Sequence, residues 1–397
     1  MKKFNENSLL FGFAVLFVIS GLFSVPALHD IGGNILILIR GQSDVRKTTS
    51  TLESITSDKL NYHSMLMDIN SFKENLLGTR IVPKEDITII KTDSGCLLEQ
   101  TEPMLPDEIL QVVQSIDELR TAAEAGGAKF LYCAVPGKEV FHSDPPNARN
   151  FARQNFRLFL SEMASKEIPV LDFTEQLKRN QSEYPIFYNT DHHWTVRAGF
   201  DATGAILEEL RGRYGLEYDS ALTDLSNYHI EHYPHWFLGS YGKKVGTYFT
   251  WQGADDFELI TPDFQTDLTE ELPLENRTRR GDFKESALKM PAMEKSYYEI
   301  NTYATYSGGN FHQQILTNHL NPQGAKVLLI RDSFACVVGP FLSLSLGQLH
   351  ECDMRRDDYF VGDKLNMADY IQEIKPDYVL VLYYGVRDIS NGRYDFF

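Results

Sequence analysis

Apolar residues recur along this chain in two alternating rhythms. After Pro106 and Asp107, the residues Ile109, Val112, Val113, Ile116 and Leu119 fall at three- and four-residue spacing. That spacing predicts an amphipathic helix opened by proline. Lys129–Val135 is a continuous apolar run closed by Pro136-Gly137, the pattern of a strand buried on both faces. The alternation then repeats, with a helix over 151–164, a buried strand over 170–173 and a helix over 195–210 that buries Phe200, Ile206, Leu207 and Leu210. It resumes late in the chain, with strands at 326–330 and 349–353, a helix over 367–374 and a last strand at 378–383. Strands alternating with helices predict an α/β domain, a parallel sheet with helices on both faces. A further short strand is expected at 87–91, ahead of this series.

Two stretches break the rhythm. Residues 216–310 are rich in Tyr, Gly and acidic residues and lack strong periodicity, which predicts an inserted, cap-like region with short strands. Residues 30–80 form a Ser/Thr-rich lead-in that turns helical toward 60–77. Before it, Lys2 and Lys3 precede an apolar run from Leu9 to Leu28. About 20 apolar residues suffice to span a bilayer, and the flanking lysines would stay in the cytoplasm. Val25-Pro26-Ala27 makes no small-x-small cleavage site, so a retained anchor is favoured over a cleaved signal. The expected organisation is therefore an anchor or signal at 1–29, a stalk at 30–80 and the α/β domain at 81–397, outside the cytoplasm.

Composition refines this picture. The 397 residues are 43% hydrophobic and 23% charged, enough apolar material for a substantial core. The formal net charge of −17 argues against nucleic acid as a partner, because a phosphate backbone needs a basic footprint. Cys96, Cys133, Cys336 and Cys352 are far apart and form no CxxC. No cysteine zinc site is indicated, and buried free thiols are expected.

Two segments carry candidate chemistry. The buried strand at 326–330 runs into Arg331-Asp332-Ser333-Phe334. In parallel sheets, reactive groups gather at the carboxyl ends of strands. A serine there can present its hydroxyl, with backbone N–H groups of the next turn aimed at a developing oxyanion. Asp332 or Ser333 could equally cap the following helix. The second segment is Tyr188-Asn-Thr-Asp-His-His-Trp-Thr195. Asp191 and His193 supply the orienting carboxylate and the base that a serine nucleophile needs. Asp191, His192 and His193 also suggest metal ligation, but no third nearby ligand type completes a set, and no metal is expected. Weaker signals are His229, His232 and His235 at three-residue spacing beside Glu231, read as surface residues since Pro234 disfavours a helix. The aromatics Trp236, Tyr248, Phe249 and Trp251 suit either sugar stacking or core packing. No P-loop, GxGxxG, HExxH or GxSxG motif is present, and no cofactor is expected.

Together, Asp191-His192-His193-Trp194 and Asp332-Ser333-Phe334 resemble the DHHW proteins and the alginate O-acetylation proteins, which carry an SGNH-hydrolase-like domain. Softer matches follow in order: Phe237–Lys243, Ser307–Asn310, Pro340–Leu342 and Asp353–Arg355. The resemblance spans roughly residues 80–390. It implies a triad of Asp191 as orienter, His193 as base and Ser333 as nucleophile, with Asn310 as a candidate oxyanion donor. The order Asp, His, Ser implies a permuted SGNH-like topology. Arg331 stands where the family often has Gly or Lys. The implied activity is O-acetyl transfer to, or acetyl removal from, a cell-surface polysaccharide through an acetyl-serine. The implied partners are a polysaccharide acceptor and a membrane-bound O-acyltransferase that supplies acetyl. A catalytically silent polysaccharide-binding or scaffold protein is the alternative.

Overall fold

The computed structural model describes residues 63–145, 148–291, 297–355, 364–387 and 392–397. The expected anchor, and the stalk up to residue 62, lie outside these. Among the described residues, no helix is long and apolar enough to cross a membrane. The chain divides into two units, residues 1–76 and 77–397. The first contributes one described helix, α1 (His63–Leu76).

The second unit opens with a small antiparallel sheet of β1 (Ile81–Pro83), β2 (Thr88–Lys91) and β3 (Leu97–Glu99). There follow α2 (Pro106–Ala125), β4 (Lys129–Val135), α3 (Ala152–Ser165), β5 (Val170–Asp172), α4 (Thr174–Asn180) and α5 (Val196–Tyr214). Next come β6 (Tyr228–Phe237), α6 (Ser240–Val245), β7 (Asp255–Pro262), β8 (Leu268–Leu272), β9 (Arg277–Gly281) and α7 (Phe283–Ala287). The chain closes with β10 (Gln314–Asn318), β11 (Lys326–Arg331), α8 (Ala335–Ser343), β12 (Gln348–Asp353), α9 (Met367–Ile374) and β13 (Tyr378–Tyr384).

The main sheet has eight strands in the order β5-β4-β13-β11-β12-β10-β8-β9. The first five are mutually parallel, and the last three join antiparallel. β13 lies inside the parallel half and is buried along its whole length, which explains its unbroken run of apolar residues. Alternate side chains of β4 divide between two cores. Leu131, Cys133 and Val135 face the side that holds α5 and α8. Phe130, Tyr132 and Ala134 face the side that holds α2, α3 and α9.

The structure differs from the sequence reading in two places. β5 is an edge strand whose Val170 and Leu171 are only half-buried, because it has a neighbour on one side alone. The stretch 216–310 is more than a cover. Its β6–β7 pair forms a separate two-stranded sheet, whereas β8 and β9 lengthen the main sheet through β10. Phe249 is buried and Trp236 packs on Tyr233 and Phe257, while Tyr248 and Trp251 are exposed. The four cysteines are buried free thiols.

Candidate active site

The carboxyl ends of β4, β11 and β13 meet at one edge of the sheet, and the chemistry-bearing segments converge there. β11 ends at Arg331, and α8 begins at Ala335, so Ser333 sits in the tight turn between them. Asp332 is buried and shapes this turn. Its Oδ1 accepts from Phe334 N–H (3.0 Å), and its Oδ2 accepts from Tyr384 N–H (2.9 Å) and Arg393 (3.2 Å). Asp332 thus closes the turn ahead of α8 rather than capping the helix, whose N-cap is Phe334, and Ser333 is left half-buried.

The histidine segment is a short loop closed on itself. Phe187 and Trp194 form a bridge, Tyr188 N–H donates to His193 O, and Thr195 N–H donates to Ile186 O. Thr195 then caps α5 by accepting from Ala198 N–H. Trp194 is fully buried and its indole N–H donates to Phe334 O (3.0 Å), tying this loop to the serine turn.

These constraints bring Ser333, His193 and Asp191 into line. His193 Nε2 lies 2.7 Å from Ser333 Oγ, and His193 Nδ1 lies 2.5 Å from Asp191 Oδ1. Asp191 Oδ1 also accepts His193 N–H (2.9 Å), and Oδ2 accepts Ser240 N–H (2.6 Å). Burial works against the Asp191 charge. The neighbouring His192 and His193, and the bonds from His193 and Ser240, outweigh it and hold the carboxyl well below its usual range. The His193 ring stacks nearly parallel on Tyr303 (3.8 Å, 14°), which fixes its plane. Tyr303 is itself anchored by its hydroxyl to Phe334 O.

A residue that sequence reasoning missed holds the loop from beneath. Lys138, fully buried just after β4, donates to four carbonyls: Leu97 (2.8 Å), Tyr188 (2.6 Å), Asn189 (3.3 Å) and Asp191 (2.7 Å). Asp255 takes the opposite polarity, accepting from Asn189 N–H (2.7 Å), Thr190 N–H (2.8 Å) and Thr190 Oγ1 (2.6 Å). A buried cation gathers the carbonyls and a buried anion gathers the N–H groups, so these backbone atoms are paired inside the fold. Gly239 completes the support: a Cβ there would lie 2.2 Å from Asp191 Cβ. The sequence signal for Gly239 and Ser240 was their place inside Phe237–Lys243. Lys138 gave none beyond a charge after Pro-Gly.

Asn310 contacts two residues that flank Ser333 along the chain, Arg331 and Cys336. Its Oδ1 accepts from Arg331 (2.6 Å) and lies 3.4 Å from Cys336 Sγ. No hydrogen bond among the described residues uses its Nδ2 or the Ser333 N–H. Arg331 is buried and paired with Glu351 (2.9 Å), with further bonds to Gly309 O and Gln314. Its guanidinium is taken up by these bonds and by the one to Asn310.

Asp191, His192 and His193 present potential ligand atoms within 4.8 Å of one another. The Asp191 and His193 atoms are already spent on each other, and His192 Nδ1 engages Ser240 Oγ (3.0 Å). The donor set does not fit a resident metal. His232 and His235 lie exposed on β6, beside Glu258 and Asp256, as the surface reading expected.

This fold and site define an α/β, SGNH-like domain. Residues 100–222 match the family described as SGNH hydrolase-like domain, acetyltransferase AlgX. The fold is shared with a DHHW family protein from Eubacterium siraeum, at 18% identity and a TM-score of 0.59 over 79% of this chain and 97% of that one. It is also shared with Bacillus cereus PatB1 bearing a sulfonyl adduct, at 18% identity and a TM-score of 0.61 over 76% and 96%. No curated protein matches the chain. The resemblance therefore stands for the fold and for Asp191–Trp194, which the matched stretch contains; Asp332–Phe334 lies beyond that stretch.

Proposed function

We propose that this chain is a serine-dependent acyl-transfer enzyme, an O-acetyltransferase or acetylesterase acting on an extracytoplasmic polysaccharide. The observation that carries the reading is the hydrogen-bonded line Ser333–His193–Asp191, at 2.7 and 2.5 Å. In this mechanism His193 Nε2 takes the Ser333 proton as Oγ attacks the acetyl carbonyl. The ionised Asp191 stabilises the imidazolium and keeps Nε2 facing serine. The Ser333 N–H and the Asn310 amide, both without protein acceptors among the described residues, would receive the oxyanion. The donor's alcohol leaves with the proton from His193, and acetyl-Ser333 passes its acyl group to a sugar hydroxyl or to water. The order Asp, His, Ser along the chain fits a permuted SGNH-like topology.

The matched family's description as an acetyltransferase supports transfer as the reaction. The apolar segment 9–28 supports a membrane-anchored, extracytoplasmic placement, with a membrane-bound O-acyltransferase as acetyl supplier. The test is hydrolysis of p-nitrophenyl acetate by the detergent-solubilised full chain beside Ser333→Ala. Loss of several orders of magnitude in the variant is expected for a nucleophile. Equal rates in both proteins would sink the reading in favour of a binding or scaffold role.

A further inference from the structure

The acyl-transfer line uses the edge of the His193 ring and leaves its two faces, and the neighbouring His192, without a role. In the ring plane, Nδ1 meets Asp191 and Nε2 meets Ser333. Two further rings stand out of that plane. Tyr303 lies 3.8 Å from His193 at 14°, and His192 lies 3.8 Å from it at 36°, centroid to centroid. A ring approaching in the plane is stopped farther out by the edge atoms, so both neighbours sit over a face. Two rings cannot share one face at that distance, so Tyr303 and His192 cover opposite faces. Each is held separately. Tyr303 is buried and donates its hydroxyl to Phe334 O (3.2 Å). His192 Nδ1 is bonded to Ser240 Oγ (3.0 Å), and Ser240 N–H donates to Asp191 Oδ2 (2.6 Å). Burial pushes His192 from 6.5 down to about 3; the charges of His193, Arg387 and Lys138 push the same way, against Asp191. His192 is thus a neutral plate wherever a histidine base operates.

We propose that His192 and Tyr303 are positioning residues, the two jaws of a clamp that keeps the His193 ring in place while Ser333 carries the acetyl group. The proposal rests on the acyl-serine reading of Ser333. Once Oγ is esterified it has no proton to donate, and its bond to Nε2 is lost. The bond from Nδ1 to Asp191 then remains as the in-plane tether, and a ring on one tether rocks about it. With both faces covered, rocking either way meets Tyr303 or His192. Nε2 therefore stays aimed at the acyl group until an acceptor arrives. The acceptor oxygen bonds the acetyl carbon as its proton passes to Nε2. The Oγ–acetyl bond breaks, and Oγ takes the proton from Nε2. The imidazolium of this step lies against the face of Tyr303, a favourable cation–π contact. On its other side it meets a neutral ring rather than a second cation. Such a clamp weighs more on deacylation than on acylation, because in acylation Ser333 itself holds Nε2.

The experiment measures the two half-reactions of the detergent-solubilised full chain separately. With enzyme in excess over p-nitrophenyl acetate, p-nitrophenolate release gives acylation. Loss of acetyl from the acylated, desalted chain, followed by intact mass, gives deacylation, and only molecules folded well enough to acylate enter that rate. Tyr303→Met and His192→Asn each remove a ring while filling most of its space. Each should slow deacylation about tenfold or more and acylation by less than about threefold. Tyr303→Phe keeps the ring and should recover most of what Tyr303→Met loses. The double variant should be little slower than the slower single one, since a clamp fails when either jaw is gone. Equal slowing of both steps, single losses that multiply in the double variant, or Tyr303→Phe as slow as Tyr303→Met would overturn the clamp. A spectrum of the unmodified chain with carbon-labelled histidine tests the geometry even if a variant folds poorly. The His193 Cε1 proton, identified by its loss in His193→Ala, should lie upfield of free histidine because it sits between two rings; a resonance at the free position would also overturn the clamp. Absence of any Ser333-dependent acetyl adduct in the unmodified chain would instead strike at the acyl-serine reading itself.

Discussion

Replacing Lys138 by methionine shortens the side chain by one atom and removes its charge and its donors. Three of its four contacts, to Leu97, Tyr188 and Asp191 carbonyls, are at 2.6–2.8 Å and are made inside the fold. Stranding one half of a buried charge arrangement typically costs about 3–5 kcal/mol, and Asp255 would lose its compensating cation here. At roughly 2 °C per kcal/mol for a large domain, the melting temperature should fall by about 6–10 °C. The functional effect is separate, because Asp191 O and the 188–191 backbone would lose their tether. A displacement near 1 Å of a reacting group costs about 10²-fold in rate. The assay is calorimetry of both proteins, with the rate of Ser333 acylation measured well below the variant's melting point. If Lys138→Met melts within about 1 °C of the parent, as a neutral surface change would, and acylates within twofold, the loop is not held in this way.

Other perturbations read different parts of the site. Asp191→Asn should lower acylation about 10⁴-fold with the fold intact by circular dichroism, since the amide favours the wrong His193 tautomer. Asn310→Ala should lower kcat by about 10²-fold or more if its amide meets the oxyanion; an unchanged kcat would remove it from that role. Gly239→Ala should push on Asp191, where the added Cβ would come within 2.2 Å of its Cβ, and both acylation rate and urea midpoint should drop. Burial pushes the Glu139 carboxyl from 4.5 up to about 7. The folded protein therefore keeps this proton while the unfolded chain releases it, so the contribution is full below pH 4.5 and lost as pH rises through about 7. Glu139→Gln should abolish that loss, gaining on the order of 3 kcal/mol over the parent at pH 8 and nothing at pH 4; equal urea midpoints at pH 8 would contradict it.

Much of the parallel half of the sheet was legible because burial on both faces writes a continuous apolar run. Lys129–Val135 and Tyr378–Tyr384 show this, with Leu131 facing one core and Phe130 the other. The antiparallel half was not legible, for a physical reason. β8 and β10 bury Glu270 and Gln314, which bond to each other and to Arg279 and Arg331. Interior positions that carry paired polar groups look like surface in a sequence. Asp191, His193 and Ser333 could be singled out by chemistry, since a serine needs a base and an orienter. Their support could not. Lys138 and Asp255 act on backbone atoms 41 to 66 positions away, and backbone polarity leaves no trace in residue identity. Tyr303 was one tyrosine among the 20 in the chain until its ring was found against His193.

The most direct test of the central claim is peptide mass mapping of the full chain after brief exposure to an activated acetyl ester and acid quench. The account predicts one acetyl group on the peptide carrying Ser333, absent in Ser333→Ala and strongly suppressed in His193→Ala. Acetate release without that adduct, or an adduct that survives His193→Ala at full yield, would contradict it.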